Sequence, residues 1–309
     1  MVSPLVSPLE RTFRPPHPTD VRATLGVLSR GGRDHTMRVG RTAADGVWRA
    51  TVTPDGPCTQ HVVQRADDIT MRAWGPGAAW AVDHAPVLLG ANDDDSDFVA
   101  HHDWLDRAHR LNRGLRFMCT QAVWEVLLPV VLEQKVTGTE ARQSYGELQR
   151  ALSEPAPGAS GGPALLLPPT AQVVAITPSH VFHAANVERK RSDAIRRAAG
   201  SAHRLEEASY MDRAAAHARL RALPGLGEWT ANEVAAVAFG DADAVSVGDF
   251  HLKNAVSWAL AGEARGTDER MVELLEPYRP HRGRVIRLIG AAGLRPPKFG
   301  PRLTIQRRW

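Results

Sequence analysis

The sequence predicts a mainly helical protein with a small α+β domain at its amino end. Short β-favouring runs separated by turn residues are confined to the part before residue 112, and helical periodicity dominates from Leu115 onward. At 309 residues the chain is long enough to bury one or two sizeable cores. We therefore divide it into an N-terminal tail (1–17), a small α+β domain (18–112) and a helical core with a basic C-terminal tail (113–309).

The amino-terminal domain is expected to begin with a helix and continue as a small sheet. Thr19 and Asp20 precede a helical run to Leu28, and Asp is a favoured residue at the start of a helix. The β-like runs, separated by Gly- and Pro-containing turns, are residues 35–39, 47–52, 60–64 and 69–74. This pattern predicts an α+β domain.

The helical core opens with an apolar stripe that contains Trp124. The stripe is wide enough for a buried helix, so Trp124 is either a core residue or a neighbour of a binding pocket. Residues 153–169 are rich in Pro, Gly, Ala and Ser, which predicts a surface loop.

A glycine-rich turn between two helices is the most informative segment. Residues 213–220 are Ala-rich and favour a helix, Pro224 and Gly225 end it, and a second helical pattern runs from Trp229 to Gly240. Such a unit is common in helical domains, but its exposed N–H groups also suit a phosphate. Both interpretations follow from the residues.

Asp249 stands at the start of the next helix. An aspartate there is an ordinary helix cap, and it is also a fixed carboxylate available for chemistry. The two roles are compatible, because the helix dipole stabilises a negative charge at that position.

These two segments together resemble a known superfamily. Residues 223–231 resemble the hairpin, and residues 245–253 the catalytic-aspartate segment, of the helix-hairpin-helix DNA glycosylases. The resemblance is to the AlkA-like 3-methyladenine DNA glycosylase II branch, in which a Trp stands at the position of Trp229, and it extends from about Pro18 to Lys298. It implies that fold, a role in base excision repair, and a monomer that binds duplex DNA containing damaged bases.

The resemblance implies that Asp249 is catalytic. A carboxylate near C1′ stabilises the positive charge on the sugar as the base departs, and it orients or deprotonates water. Bifunctional relatives carry a nucleophilic Lys where this chain has Trp229, so we expect hydrolysis of alkylated purines without lyase activity. Lys253 is expected to pair with a carboxylate or to contact phosphate, and a lyase role for it stays open.

The hairpin is expected to hold DNA and a cation. The phosphate 3′ of the lesion would be bound by Gly225, Leu226, Gly227, Trp229 and Thr230. The resemblance also implies that the backbone carbonyls of Arg221, Leu223 and Leu226 bind Na⁺ or K⁺. No other cofactor is expected.

The base pocket and the wedge depart from the pattern. Trp229 and Tyr278 match pocket aromatics, although Tyr278 stands where Trp is usual, and Glu233 replaces an aromatic. A charged Glu233 would favour a base that is cationic, such as an N3- or N7-methylpurine, or one that presents an amino donor, over neutral hypoxanthine; alternatively it points to solvent. Residues 132–137 resemble the segment that fills the gap left by the flipped nucleotide. Lys135 stands at the intercalating position, and Gln134 is the alternative wedge. The other interpretation of this segment is a solvent-facing helix end.

Composition agrees with a polyanionic partner. The net charge is +4 and the pI about 9.4. Basic clusters at residues 189–191, 196–197, 279–287 and 302–308 lie in the half that contains the hairpin; each is a DNA contact or a solvated face. Two cysteines, Cys58 and Cys119, are too few for a disulfide framework or a four-cysteine iron–sulfur cluster.

The chain shows no 18-residue apolar run and no secretory signal, so we expect a cytoplasmic, nucleoid-associated protein. Two further hypotheses stay open. One is a DNA-lesion binding protein without turnover, suggested by Lys135 and Glu233. The other is a glycosylase for deaminated bases such as hypoxanthine or uracil.

Overall fold

The computed structural model describes residues 7–158 and 161–297. The predicted basic stretch 302–308 lies outside these residues. In the described part of the chain, no helix is both long and apolar enough to cross a bilayer.

An antiparallel sheet forms the centre of the amino-terminal region. Its strands are β1 (Leu9–Phe13), β2 (Met37–Val39), β3 (Val47–Thr53), β4 (Gly56–Arg65) and β5 (Asp68–Trp74), in the order β1-β5-β4-β3-β2. Helices α1 (Val21–Gly26) and α2 (Ala78–Leu88) cover one face. The side chain of Asp20 accepts a hydrogen bond from the Ala23 amide at 2.9 Å, which confirms the predicted cap.

The first strand lies inside the segment that the sequence assigned to a tail. Residues 9–13 pair along β5, with Leu9 opposite Ala73 and Phe13 opposite Ile69. The segment carries little apolar alternation of its own and is bordered by prolines. Its strand conformation therefore depends on the hydrogen bonds that β5 supplies, which a local pattern does not reveal.

The opposite face of the sheet is covered by the segment expected to be a surface loop. Pro155 and Leu166 form a β-bridge, and Leu165 and Leu167 are buried against Ala50. The abundance of Pro and Gly predicted irregular structure correctly in the described part of this segment. It did not predict that the leucines act as a packed cover.

The remaining helices pack around two further hydrophobic cores. These helices are α3 (Asp103–Leu111), α4 (Val123–Leu132), α5 (Gly138–Leu152), α6 (Ala171–Ile176), α7 (Ser179–Ala184), α8 (Arg189–Gly200), α9 (Ala202–Glu206), α10 (Arg213–Arg221), α11 (Glu228–Ala238), α12 (Leu252–Ala261), α13 (Asp268–Leu275) and α14 (Arg282–Ala291), with 3₁₀ turns at Glu207–Tyr210 and Glu276–Tyr278. One core surrounds α4 and includes α5, α8 and α11. The other joins α3 to α12, α13 and α14.

The packing of α3 moves the domain boundary. The sequence placed this helix in the amino-terminal domain, yet Leu105 and Ala108 are buried against Val256, Met271 and Val285 of the carboxyl-terminal helices. The boundary at residue 112 is therefore too late in packing terms. In packing terms α3 belongs with the carboxyl-terminal helices, because its apolar side finds its partners there.

Candidate functional site

The glycine-rich turn joins α10 to α11 as the sequence predicted, and its two glycines differ. Gly225 has φ +98°, and a Cβ at this position would lie 2.7 Å from the Cβ of Ala194 on α8. Gly227 has φ −87°, and a Cβ there would meet nothing within 4 Å. Gly225 is therefore required by the backbone and by close packing, whereas Gly227 borders open space.

That open space lies at the start of α11. Within the described residues, the N–H groups of Gly227, Glu228, Trp229 and Thr230 donate to no acceptor. Free amides and the positive end of the helix dipole attract an anion at this place. The exposed Glu228 in the first turn of α11 opposes such an anion.

Two side chains from outside the turn hold its carbonyl groups. Arg197 on α8 donates to the Pro224 carbonyl from Nε at 3.3 Å and from Nη2 at 3.2 Å. Gln134 Nε2, in the turn after α4, donates to the Gly225 carbonyl at 3.0 Å and to Thr230 Oγ1 at 2.9 Å. These contacts fix the hairpin against α8 and α4.

The same contacts distinguish the two candidate wedge residues. Gln134 is bonded to the hairpin in the free protein, and its role as the wedge stays a prediction. Lys135 is exposed and has φ +56° at the tip of the turn. The turn therefore presents the Lys135 side chain to solvent.

Asp249 accepts hydrogen bonds from backbone N–H groups at the start of α12. Its Oδ1 accepts hydrogen bonds from the His251 and Leu252 N–H groups, both at 2.8 Å, so it binds amides at the start of α12, although the residue in the N-cap position is His251. Within the described residues no hydrogen bond ends on Oδ2. The carboxylate is held rigidly by one oxygen, and the other is available to a second partner.

Lys253 lies one residue into α12 and pairs with a carboxylate. Its Nζ is 3.5 Å from Asp268 Oδ2, while the Gly248 N–H donates to Asp268 Oδ1 at 3.2 Å. Asp268 thereby connects the loop that carries Asp249 to the first turn of α12. The expected pairing of Lys253 with an acid is confirmed.

Glu233 faces the protein, so the alternative of a solvent-facing side chain is wrong. It is half-buried on α11, and the hydroxyl of the buried Ser246 donates a hydrogen bond to it. Burial raises the pKa of Glu233, and the negative charges of Glu133 and Asp249 raise it further, against the opposing effects of Ser246 and Arg30. Two acidic groups thus lie in one neighbourhood, on α11 and before α12.

Of the predicted pocket aromatics, only Trp229 lies beside Glu233. The two residues share a face of α11, and Trp229 is half-buried against the core around α4. A stacked base needs an accessible ring, and this ring is partly accessible.

Tyr278 and Trp124 are core residues in the structure, so the pocket prediction for them is wrong. Tyr278 is buried, its hydroxyl lies 2.8 Å from His102 Nδ1, and burial raises its pKa to about 12. Trp124 is buried and donates from Nε1 to the Pro169 carbonyl at 2.9 Å. Neither indicates a free ring face, because each aromatic is enclosed by elements that are distant in sequence.

The basic stretch 279–287 is also mainly structural. Arg282 pairs with Asp243 at 2.8 Å, and Arg284 with the buried Asp93 at 2.5 Å. The Arg287 guanidinium lies 3.5 Å from the centre of the Phe117 ring. Neither proposed interpretation, a DNA contact or a solvated face, describes these arginines, which hold α14 against the rest of the protein.

Sequence reasoning missed Ser246, Arg197 and Phe250. Ser246 has no distinctive local signal, and Arg197 was noted only as part of a charge cluster. Phe250 follows Asp249 and is 71% exposed, an unusual exposure for an aromatic residue that the sequence alone did not reveal. Within the described residues, no group of three or more His, Cys, Asp or Glu side chains is arranged to hold a metal ion.

Comparisons with known proteins identify the architecture. No protein-family model matches the sequence, and no curated protein matches it. Among solved structures, a 3-methyladenine DNA glycosylase from Archaeoglobus fulgidus is similar, with a TM-score of 0.76 at 14% identity over 92% of this chain and 98% of that one. An 8-oxoguanine glycosylase/lyase from Clostridium acetobutylicum, bound to double-stranded DNA, has a TM-score of 0.70 at 11% identity over 93% and 97%.

A further solved structure, MBOgg1 with a low-affinity DNA ligand, has a TM-score of 0.70 at 14% identity over 92% of this chain and 95% of that one. The similarity spans nearly the whole of each chain. The protein therefore has the helix-hairpin-helix DNA glycosylase fold, as the sequence predicted.

Proposed function

We propose, taking the glycosylase fold as the premise, that this protein is a monofunctional DNA glycosylase that hydrolyses the N-glycosidic bond of alkylated purines in duplex DNA. The observation that carries the proposal is the state of Asp249. One oxygen is fixed by the first amides of α12, and the other accepts no hydrogen bond within the described residues. A rigid carboxylate with a free oxygen suits a reaction that develops positive charge on a sugar.

The reaction proceeds by departure of the base and capture of water. As the C1′–N bond breaks, its electron pair leaves with the base and the sugar becomes positively charged. Asp249 Oδ2 stabilises this charge and takes a proton from the water that attacks C1′. The product is an abasic site and a free base. An alkylated purine that already carries a positive charge leaves without being protonated.

The hairpin and the turn after α4 are proposed to hold the duplex. The free amides at the start of α11 bind a phosphate, and Lys135 enters or flanks the gap left by the flipped nucleotide. Gln134 belongs to the turn after α4 and donates to Gly225 and Thr230 of the hairpin. The phosphate site on the hairpin and the tip of the turn therefore keep a fixed spacing. Positive side chains on α8, such as the exposed Arg189, add sequence-independent attraction.

The absence of lyase chemistry is likewise proposed. At the hairpin position where a nucleophilic amine would be needed, Trp229 presents an indole ring, which does not form a Schiff base. Lys253 is engaged by Asp268 at 3.5 Å. Base removal and strand cleavage are therefore expected to be separate events.

We retain the cation at the hairpin as a proposal. The carbonyls of Arg221, Leu223 and Leu226 belong to one turn, and that of Leu223 already accepts a hydrogen bond from the Leu226 N–H at 3.0 Å. Carbonyl oxygens are suitable ligands for Na⁺ or K⁺, which would order the turn without taking part in bond cleavage. Replacing K⁺ by tetramethylammonium at equal ionic strength should weaken DNA affinity; equal affinity in both salts contradicts the proposal.

The deciding experiment is mass spectrometry of the bases released by the pure protein from methylated and from deaminated duplex DNA. Release of 3-methyladenine or 7-methylguanine from the methylated DNA, absent with Asp249→Asn, is the expected result. Duplex binding without release of any base would instead support a lesion-binding protein without turnover.

Deaminated purines are a second candidate substrate class. Glu233 lies one helical turn from Trp229, and burial raises the pKa of Glu233, so its surroundings disfavour the charged carboxylate. The same experiment separates the two classes, because hypoxanthine is released only from the deaminated DNA.

A further inference from the structure

The pair of Glu233 and Ser246 is not used by the proposed hydrolysis. We propose that Glu233 donates a proton to the departing base, so that the site excises neutral damaged purines such as hypoxanthine as well as cationic ones. This inference rests on the proposed glycosylase function and specifies the substrate class of the same site.

Position is the first support. Glu233 lies one helical turn after Trp229 on α11 and is bonded to Ser246, which lies three residues before Asp249. A base placed against Trp229 while its sugar faces Asp249 therefore has Glu233 beside it. The acid that acts on the sugar and the acid beside the base come from different elements. Ser246 links them, because its hydroxyl donates to Glu233 and its carbonyl accepts from the Asp249 N–H at 3.2 Å.

The charges around Glu233 are the second support. Glu133 follows α4 and Asp249 precedes α12, and both are negative neighbours that disfavour a third negative charge. The positive neighbours are Arg30, which pairs with Glu133 at 3.0 Å, and Arg287 of α14. Arg287 donates to the Arg116 and Ala236 carbonyls and covers Phe117, so other groups use its donors.

The pKa of Glu233 is raised overall, because the effect of burial exceeds the opposing effects of these cations and of the Ser246 hydroxyl. Asp249 differs, since two backbone N–H groups bind its Oδ1 and leave its Oδ2 without a hydrogen bond in the described residues. Glu233, buried beside other acids, therefore suits a proton donor, and Asp249 suits a stabiliser of positive charge.

The proton balance closes without a co-reactant. Glu233 transfers its proton to a ring nitrogen of the purine as the C1′–N bond breaks, and the bond's electron pair stays with the base. Water adds to C1′ and loses a proton to Asp249. That proton passes to solvent and Glu233 is reprotonated, so the net reaction is addition of one water across the bond.

This role reverses the expectation from the sequence. A charged Glu233 was expected to favour cationic N3- or N7-methylpurines over neutral hypoxanthine. A protonated carboxyl group supplies what a neutral base lacks, whereas a cationic base gains little from it because it is already a good leaving group. Neutral purines should therefore depend on Glu233 far more than cationic ones do.

The test measures single-turnover release of hypoxanthine and of 7-methylguanine by the full chain across a range of pH. Glu233→Gln keeps the shape and a hydrogen-bond donor but has no transferable proton. We expect it to slow hypoxanthine release by about a hundredfold and to leave 7-methylguanine release nearly unchanged. In the unsubstituted protein, hypoxanthine release should fall as pH rises through the pKa of Glu233, while 7-methylguanine release should not fall there.

Ser246→Ala provides a readout that a structural role would not produce. The hydroxyl lowers the pKa of Glu233, so its removal should move the alkaline limb of the hypoxanthine profile to higher pH. Hypoxanthine release that is equal in Glu233→Gln and the unsubstituted protein, or an alkaline limb unmoved by Ser246→Ala, overturns the proposal. If neither base is released by the unsubstituted protein, the glycosylase function itself fails, which is a distinct outcome.

Discussion

Asp249 and Glu233 are carboxyl groups in neighbouring parts of the fold, and their surroundings differ in kind. Asp249 lies on a loop, where two backbone N–H groups bind one oxygen. Glu233 lies half-buried on α11, where a hydroxyl group donates to it and two other acids are near. Backbone amides stabilise a charge at a fixed place, whereas burial beside acids favours the neutral form. Residue type alone therefore does not assign a catalytic role to a carboxyl group; the hydrogen-bond donors and charges around it do.

The largest expected effect comes from Asp249→Asn. An asparagine Oδ1 accepts the same two amides, so the start of α12 and the fold should be preserved, but the negative charge is lost. Release of every base should fall by about a hundredfold or more, unlike the selective effect of Glu233→Gln. Single-turnover rates with matched thermal unfolding curves measure this. Wild-type rates in a folded Asp249→Asn protein would remove Asp249 from catalysis.

The two hairpin glycines give the next effect. Gly227→Val adds a side chain to open space, so the protein should fold normally while phosphate approach is blocked. We expect duplex affinity to fall roughly tenfold, with a smaller salt dependence. Gly225→Val should instead destabilise the protein, because of φ +98° and the contact with Ala194.

Gly158→Val, at another exposed glycine with nothing within 4 Å, is the matched control and should bind as the unsubstituted protein does. Binding titrations at several salt concentrations compare the variants. Unchanged affinity in Gly227→Val would leave the hairpin with a structural role only.

Gln134→Met tests the connection between the hairpin and the turn after α4. Methionine preserves the length of the side chain but donates to neither the Gly225 carbonyl nor Thr230 Oγ1. The free energy of unfolding should fall by about 1–2 kcal/mol. Hydrogen exchange at the Leu226 and Ala231 amides, which are bonded to the Leu223 and Gly227 carbonyls, should become faster. Urea unfolding and hydrogen exchange measure both quantities. If Gln134→Met slows base release while its unfolding free energy and amide exchange stay unchanged, Gln134 contacts the DNA.

A smaller effect is expected from Lys135→Met. If Lys135 meets phosphate, the slope of log affinity against log salt should decrease by about 0.9, the value for one phosphate contact. Arg14→Met, on the amino-terminal sheet domain, removes an exposed charge elsewhere and should leave the slope unchanged. An unaltered slope in Lys135→Met would place this side chain away from the phosphates.

Borohydride trapping should give no signal. The chain has four lysines, Lys135, Lys190, Lys253 and Lys298. The hairpin carries Trp229 where a Schiff base would form, so denaturing gels should show no covalent adduct with lesion DNA. A strong adduct that is lost in Lys253→Ala would show that the protein is a glycosylase/lyase.

The sequence alone determined the elements whose causes are local. The hairpin between α10 and α11 follows from Pro224 and Gly225, which end one helix whatever surrounds them. The hydrogen bonds of Asp249 need only the amides two and three residues further along the chain. The central strands of the sheet were equally apparent, since their alternating residues and turn signals lie within a few positions of one another.

Tertiary structure decided everything that depends on partners distant in the chain. Gln134 donates to a carbonyl 91 residues away, and Tyr278 is hydrogen-bonded to His102, 176 residues away. No local sequence pattern therefore distinguishes a side chain that holds the hairpin, or an aromatic residue of the core, from one that contacts DNA. The protonation of Glu233 depends on burial and on the charges of Glu133 and Asp249. Electrostatic energy depends on distance in space and on exclusion of water, and the fold alone sets both.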